Sequence, residues 1–193
     1  ISGDGNNGLD TQPRGALRLE SNSVIGASGS VTLLGDASIG SYNNGTGTIN
    51  APISGDYKVT INKSISASPG TIIFGGANTY TGGTEVAAGT LRVTAPGVLP
   101  AGSTTTIASP GTVELLSGAT NTYSDVFSGT GRILLSLSGG TNNTYLNGNS
   151  AGFTGTLEIS GTGNNKLNAS GLTISPSALI KINSGGQLFT SAN

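Results

Sequence analysis

Gly89-Thr90-Leu91-Arg92-Val93 is followed along the chain by Gly111-Thr112-Val113-Glu114-Leu115, Gly131-Arg132-Ile133-Leu134-Leu135 and Gly155-Thr156-Leu157-Glu158-Ile159. Each stretch opens on a glycine and then alternates, with aliphatic residues at the third and fifth positions. An apolar period of two over so few residues reads as a half-buried strand, not a helix. Gly70-Thr71-Ile72-Ile73-Phe74 and Gly29-Ser30-Val31-Thr32-Leu33 carry the same theme, and Ser177-Ala178-Leu179-Ile180-Lys181-Ile182 carries it in a looser register. Ala16-Leu17-Arg18-Leu19 and Lys58-Val59-Thr60-Ile61 fit the spacing less evenly. From Gly70 to Gly155 the copies begin 19, 22, 20 and 24 residues apart.

A sandwich would place strands every 8–12 residues, and a propeller needs about 40–45 residues per blade. A period of about 20–24 residues fits one coil of a parallel β-helix, in which each repeat stacks only on its neighbours. The predicted fold is therefore all-β, a parallel solenoid of roughly eight coils, on the order of 40 Å long at one strand spacing per coil. Leu91/Val93, Val113/Leu115, Ile133/Leu135 and Leu157/Ile159 are expected to form a continuous interior column. Arg92, Glu114, Leu134, Glu158 and Lys181 then point outward, which sets Arg92 beside Glu114 and Glu158 beside Lys181. No helical stripe of apolar residues competes with this reading, and Gly with seven Pro interrupts the chain too often for long helices.

Gly accounts for 33 of the 193 residues, and Gly, Ser, Thr and Asn together for more than half. Such a composition often means disorder, but 34% of the chain is hydrophobic, mostly Ile, Leu and Val in regular short runs. There is no Cys, His, Met or Trp, which excludes thiol nucleophiles, His-based triads and the usual zinc and haem ligands. Eight basic against nine acidic residues give no field for nucleic acid, and no apolar run approaches the ~20 residues of a spanning helix. No cofactor is expected.

A second theme is Asn78-Thr79-Tyr80, Asn121-Thr122-Tyr123 and Asn143-Thr144-Tyr145. The separations of its tyrosines match two coils and then one. Turn asparagines that bond along the stack, and tyrosine rings packed on the next coil with wet hydroxyls, are the structural reading. An outward aromatic strip for sugars is the sharper one, and packing is favoured because the motif recurs with the coil. The run Phe74-Gly75-Gly76-Ala77-Asn78-Thr79-Tyr80-Thr81-Gly82-Gly83-Thr84-Glu85-Val86-Ala87-Ala88-Gly89-Thr90-Leu91-Arg92-Val93 closely resembles the passenger-associated transport repeat of bacterial autotransporter passengers and related giant surface proteins. Its hallmarks here are Asn78, Thr79, Tyr80, Gly82, Gly83 and Gly89, echoed at Asn121, Tyr123, Asn143 and Tyr145. The resemblance implies a right-handed β-helical passenger that is secreted to the extracellular face of the bacterial surface.

Other motifs carry less. Gly3-Asp4-Gly5-Asn6-Asn7-Gly8 has the letters of a dinucleotide loop without the strand and helix that loop needs. Asp4, Asn6 and Asp10 could offer oxygens to calcium but lack the closing acid of an EF-hand loop; a Gly/Asn turn is favoured, and no metal site is expected. Glu114 and Glu158 fall on one face two coils apart, ~10 Å, with Leu134 between them, a poor pair for glycoside chemistry. Sequons occur at Asn44, Asn62, Asn142 and Asn168. The chain reads as one β-helical segment over 1–193, with an irregular loop over 1–15 and the clearest repeats over 70–193. Gln187–Thr190 still alternates like a strand, so a fragment of a longer surface protein is expected. A non-catalytic stalk, fibre or adhesin passenger is the predicted function, and a carbohydrate-binding or polysaccharide-degrading helix is the alternative. Its expected partners are neighbouring coils or subunits, and surface glycans.

Overall fold

The computed structural model describes residues 1–5, 15–19, 22–41, 43–63 and 68–190. Every strand pairing among them is parallel, and none of them is helical. An eight-stranded sheet runs the length of the molecule. Its strands are Ser23–Ile25, Thr46–Ile49, Thr71–Phe74, Thr90–Val93, Thr112–Ser117, Arg132–Leu137, Thr156–Gly161 and Leu179–Ile182. Each belongs to a successive winding, so the described residues make eight coils of a β-solenoid.

Every coil has three sides. The side preceding the long sheet holds Leu17–Arg18, Ala37–Gly40, Val59–Ile61, Thr84–Val86, Thr104–Ile107 and Val126–Gly129 in one six-stranded sheet. It passes to the pair Asn149–Ser150 and Thr173–Ile174 through a bridge between Gly129 and Phe153 and a bond from the Phe127 N–H to Ser150 Oγ at 2.9 Å. The third side begins with Val31–Thr32 on Ile53–Ser54 and ends with a four-stranded sheet from Asn121–Tyr123 to Leu188–Phe189. Between those two sheets the third side of two consecutive coils carries no assigned strand.

The interior column has the predicted register. Leu91 pairs with Val113, Val113 with Ile133 and Ile133 with Leu157; Val93, Leu115, Leu135 and Ile159 align beside them. These residues are at most 1% exposed. Each aliphatic side chain so buried contributes roughly 1.5–3 kcal/mol. Backbone hydrogen bonds run along the axis, so each coil satisfies the donors and acceptors of the next. The looser copy at the end is also in register, with Lys181 opposite Glu158.

Three copies of the strand theme lie on other sides than the long sheet. Gly29–Leu33 supplies the third side, and the Ala16–Leu19 and Lys58–Ile61 copies supply the first. The cause is physical: all three sides send aliphatic residues into the same interior, so each selects a similar pattern. At the N-terminal end Gly3 bridges to Ala37, and the Leu34 N–H donates to Ile1 O at 2.8 Å. Residues 6–14 of the expected N-terminal loop lie outside the described residues. At the other end Ile180 and Ile182 occupy interior register positions above Leu157 and Ile159, yet are 38% and 50% exposed.

Replacing Leu115 by Ala is expected to cost about 2–5 kcal/mol through lost burial and a residual cavity. Replacing its outward neighbour Glu114, which is part-buried and bonded by Arg92 and Ser136, by Ala should cost less, about 1.5 kcal/mol. Urea unfolding of both variants checks this, and similar losses would refute the assigned column.

Candidate functional site

The Asn-Thr-Tyr motif does not build an aromatic strip. Tyr80 and Tyr123 are fully buried. The Tyr80 hydroxyl bonds Thr84 Oγ1 at 2.6 Å, and that of Tyr123 donates to Leu116 O. Neither hydroxyl is wet as the sequence suggested, because both rings point into the coil and their polar tips find partners inside it. Tyr145 faces the other way. Asn121 pairs with Thr144, Thr122 with Tyr145 and Tyr123 with Leu146. This one-residue slip between coils sends equivalent letters to opposite faces.

The motif asparagines also differ from one another. Asn78 is buried, its Oδ1 accepting from the Ile53 N–H at 2.9 Å and its Nδ2 donating to Val98 O at 2.8 Å. The amide therefore ties its own coil to the coils on both sides, in place of a stacked asparagine partner. Asn121 Nδ2 donates to Ser117 Oγ at 3.2 Å, and Asn143 Oδ1 is buried with no hydrogen-bond partner among the described residues. Thr79 is exposed at its side chain while its N–H donates to Ile53 O at 2.8 Å.

Two further clamps escaped the sequence reading. Asn62 is fully buried, accepting from the Ser41 N–H at 2.8 Å and donating to Gly70 O at 2.9 Å and Ala88 O at 3.2 Å. Asn165 accepts from the Asn142 N–H at 2.8 Å and donates to Ser138 O. The only sequence signal at Asn62 was its sequon, and burial of the amide removes it as an accessible glycan acceptor in the folded chain. Asn168 is 7% exposed, whereas Asn44 is on the surface.

The motif glycines serve close approach. Gly89 has φ +63°, and a Cβ there would sit 2.5 Å from Asn62 Nδ2 and 2.4 Å from Gly70 O. A Cβ on Gly82 would sit 2.3 Å from the Tyr57 carbonyl carbon of the preceding coil. Gly83 O accepts from the Val59 N–H at 3.1 Å.

On the outer surface of the long sheet Arg92 Nε meets Glu114 at 2.7 Å, and Lys181 lies 3.9 Å from Glu158, both as the register required. Arg132 also reaches Glu158 at 3.1 Å, and Ser136 Oγ donates to Glu114 at 2.8 Å. Burial pushes the Glu158 carboxyl up, but hydrogen bonds from Arg132 and Asn183 and the charges of Arg132 and Lys181 outweigh it and hold it below the usual range. Glu114 and Glu158 stay two coils apart with Leu134 between them, each engaged in an ion pair. Asp4 pairs with Lys63 at 2.7 Å. The remainder of the Gly3–Gly8 loop and of the Asp4–Asp10 calcium-like pattern extends into residues outside the described ones.

A concavity of about 470 Å³ opens on the third side, where strand pairing lapses. Leu99, Pro100 and Ala101 line it from one coil, and Thr122, Ser124 and Asp125 from the next. Asp125 is half-buried, and burial raises its carboxyl above the ordinary value, only partly offset by its own backbone N–H.

Fold and surface together define a parallel β-solenoid whose coils are held by aliphatic columns and buried asparagine clamps. Residues 67–93 match the family described as passenger-associated-transport-repeat, and the chain carries this autotransporter passenger repeat. It is also 31% identical over 163 residues to the adhesin BmaC autotransporter of Brucella suis biovar 1 (strain 1330), an alignment covering 72% of this chain. That alignment takes in 5% of the relative's length. No solved structure matches the chain.

Asn78→Ala leaves the buried Ile53 N–H without its acceptor, and a loss of about 1–3 kcal/mol is expected in urea unfolding. A change within a few tenths of a kcal/mol would remove the clamp from the energetics. Desolvation pushes the Tyr123 phenol up to about 12 and raises Tyr80 further, its bond to Thr84 opposing only in part. Raised phenols bind protons more tightly in the folded chain, so their contribution is complete below about pH 10 and declines as pH climbs toward 12. Tyr80→Phe and Tyr123→Phe should flatten that alkaline decline; an unchanged slope would contradict the burial.

Proposed function

We propose that this chain is a non-catalytic segment of a secreted bacterial surface protein, in which the solenoid acts as stalk and adhesive passenger on the extracellular side. The observation that carries the reading is a register-locked stack of eight coils containing a passenger repeat. The similarity to an adhesin autotransporter supports the adhesive role. Rigidity follows from the architecture: every coil is hydrogen-bonded to its neighbours along the long sheet, and most are along a second or third side as well, so the rod resists bending between coils. Engagement of Glu114 and Glu158 in ion pairs across an apolar spacer argues against a polysaccharide-cleaving pair.

The test is display of the chain on a non-adherent bacterium, counting cells retained on epithelial monolayers and on immobilised matrix proteins. Retention above that of a strain displaying an unrelated solenoid is the expected result. Turnover of a uronate or hexose polymer that is lost in Glu114→Gln or Glu158→Gln would overturn the non-catalytic reading.

The C-terminal rim supports a partner class. Leu179, Ile180, Ile182 and Phe189 are 61%, 38%, 50% and 42% exposed. Leu179–Ile182 is an edge strand of the long sheet among the described residues. Such an edge templates another strand, and the exposed interior positions suit a further coil of the same kind. The chain should therefore associate with increasing concentration in sedimentation velocity, and Ile182→Lys should keep it monomeric. Equal behaviour of both proteins would rule out coil-on-coil stacking at this rim.

A further inference from the structure

We infer that the concavity on the third side is a binding site for a hexosamine unit, an amino sugar whose ammonium meets Asp125. The site is a product of the fold. Two coils lack a third-side strand, and the segment through Val98, Leu99 and Pro100 turns inward to fill the interior instead. The surface there is left recessed next to the strand Asn121–Tyr123. Its volume, about 470 Å³, lies in the range of small-molecule sites and exceeds what one protein side chain would fill.

The chemistry of the walls selects the ligand. The floor is aliphatic, from Leu99 and Pro100, and suits the C–H face of a pyranose ring. The rim is hydroxylic, from Thr122 and Ser124, and suits ring hydroxyls. Asp125 is a half-buried carboxylate that no cation of the chain contacts among the described residues, while Glu85, Glu114 and Glu158 each hold an ion-pair partner. A desolvated carboxylate without a counter-ion favours an incoming cation, through a charge-assisted hydrogen bond stronger than a neutral one. Ammonium, hydroxyls and an apolar ring face in one ligand describe an amino sugar.

The inference deepens the adhesive reading and rests on it for its biological meaning. The experiment on the isolated chain separates the two, because a binding isotherm decides the concavity and cell retention decides adhesion. Amide chemical shifts of the labelled chain are followed at neutral pH during titration with glucosamine, glucose and 1,5-diaminopentane. Glucosamine should shift residues 99–101 and 122–125 saturably, and glucose should bind at least about tenfold more weakly, the worth of one charge-assisted bond. Asp125→Asn should weaken glucosamine by a similar factor with a melting temperature that is not lowered. Shifts absent from those residues, glucose equal to glucosamine on the unmodified chain, or diaminopentane binding as tightly as glucosamine would each overturn the assignment. The last outcome would mark a site for basic side chains.

Discussion

Parallel, in-register stacking of one coil on the next is the constraint from which the rest of the molecule follows. A backbone that winds upon itself gives every residue two fixed neighbours, the equivalents one coil before and one coil after. Interior positions of the long sheet are therefore mostly aliphatic, and the polar side chains buried elsewhere, such as Asn62, Asn78 and Thr84, find hydrogen-bond partners. The long sheet shows the result: Ile49, Phe74, Val93, Leu115, Leu135 and Ile159 align in one file, all nearly inaccessible to water. The same constraint makes outward charges meet in pairs, as Arg92 and Glu114 do, a part-buried contact that records the register.

What stacking alone leaves unsolved is the corner. Coils differ in length, with twenty-five residues from Ile49 to Phe74 and nineteen from Phe74 to Val93, so turns absorb the difference while their backbone groups still need partners. Buried asparagine side chains meet that need. One amide offers both an acceptor and two donors, so Asn62 and Asn78 each span three levels of the stack. Asn62 itself sits at φ +53°, a conformation asparagine tolerates better than most residues. The neighbouring Gly89 is then forced to lack a side chain, since Asn62 Nδ2 occupies the place of its Cβ. The repeat's Asn and Gly letters are thus two halves of one packing solution.

These corners also explain what could be read from the letters alone. The long-sheet register from Thr71 to Ile182 was legible because alternation and glycine starts recur with little drift. The side of the coil was not legible, since Val31 and Val59 satisfy the same pattern on different faces. The fate of the tyrosines was illegible for a sharper reason. A separation of 22 residues between Tyr123 and Tyr145 looks like one coil, yet the local coil is one residue longer, and Tyr145 pairs with Thr122. In a strand that single residue exchanges inside for outside. Asn165 and the concavity beside Asp125 had no repeating signal at all, because each is a departure from the repeat.

Departures are where such a rod becomes chemically individual. A regular coil offers the same hydroxyls, amides and paired charges at every level, which suits a spacer and gives little reason for a ligand to prefer one level over another. A coil that omits a strand, as the one through Val98 and Pro100 does, breaks that uniformity: a recess opens there, lined by that coil and by Thr122, Ser124 and Asp125 of the next. The energetic cost is local, because neighbouring coils keep their own hydrogen bonds and interior contacts. A solenoid therefore tolerates a recognition site at one level while the stack above and below keeps it rigid and well presented.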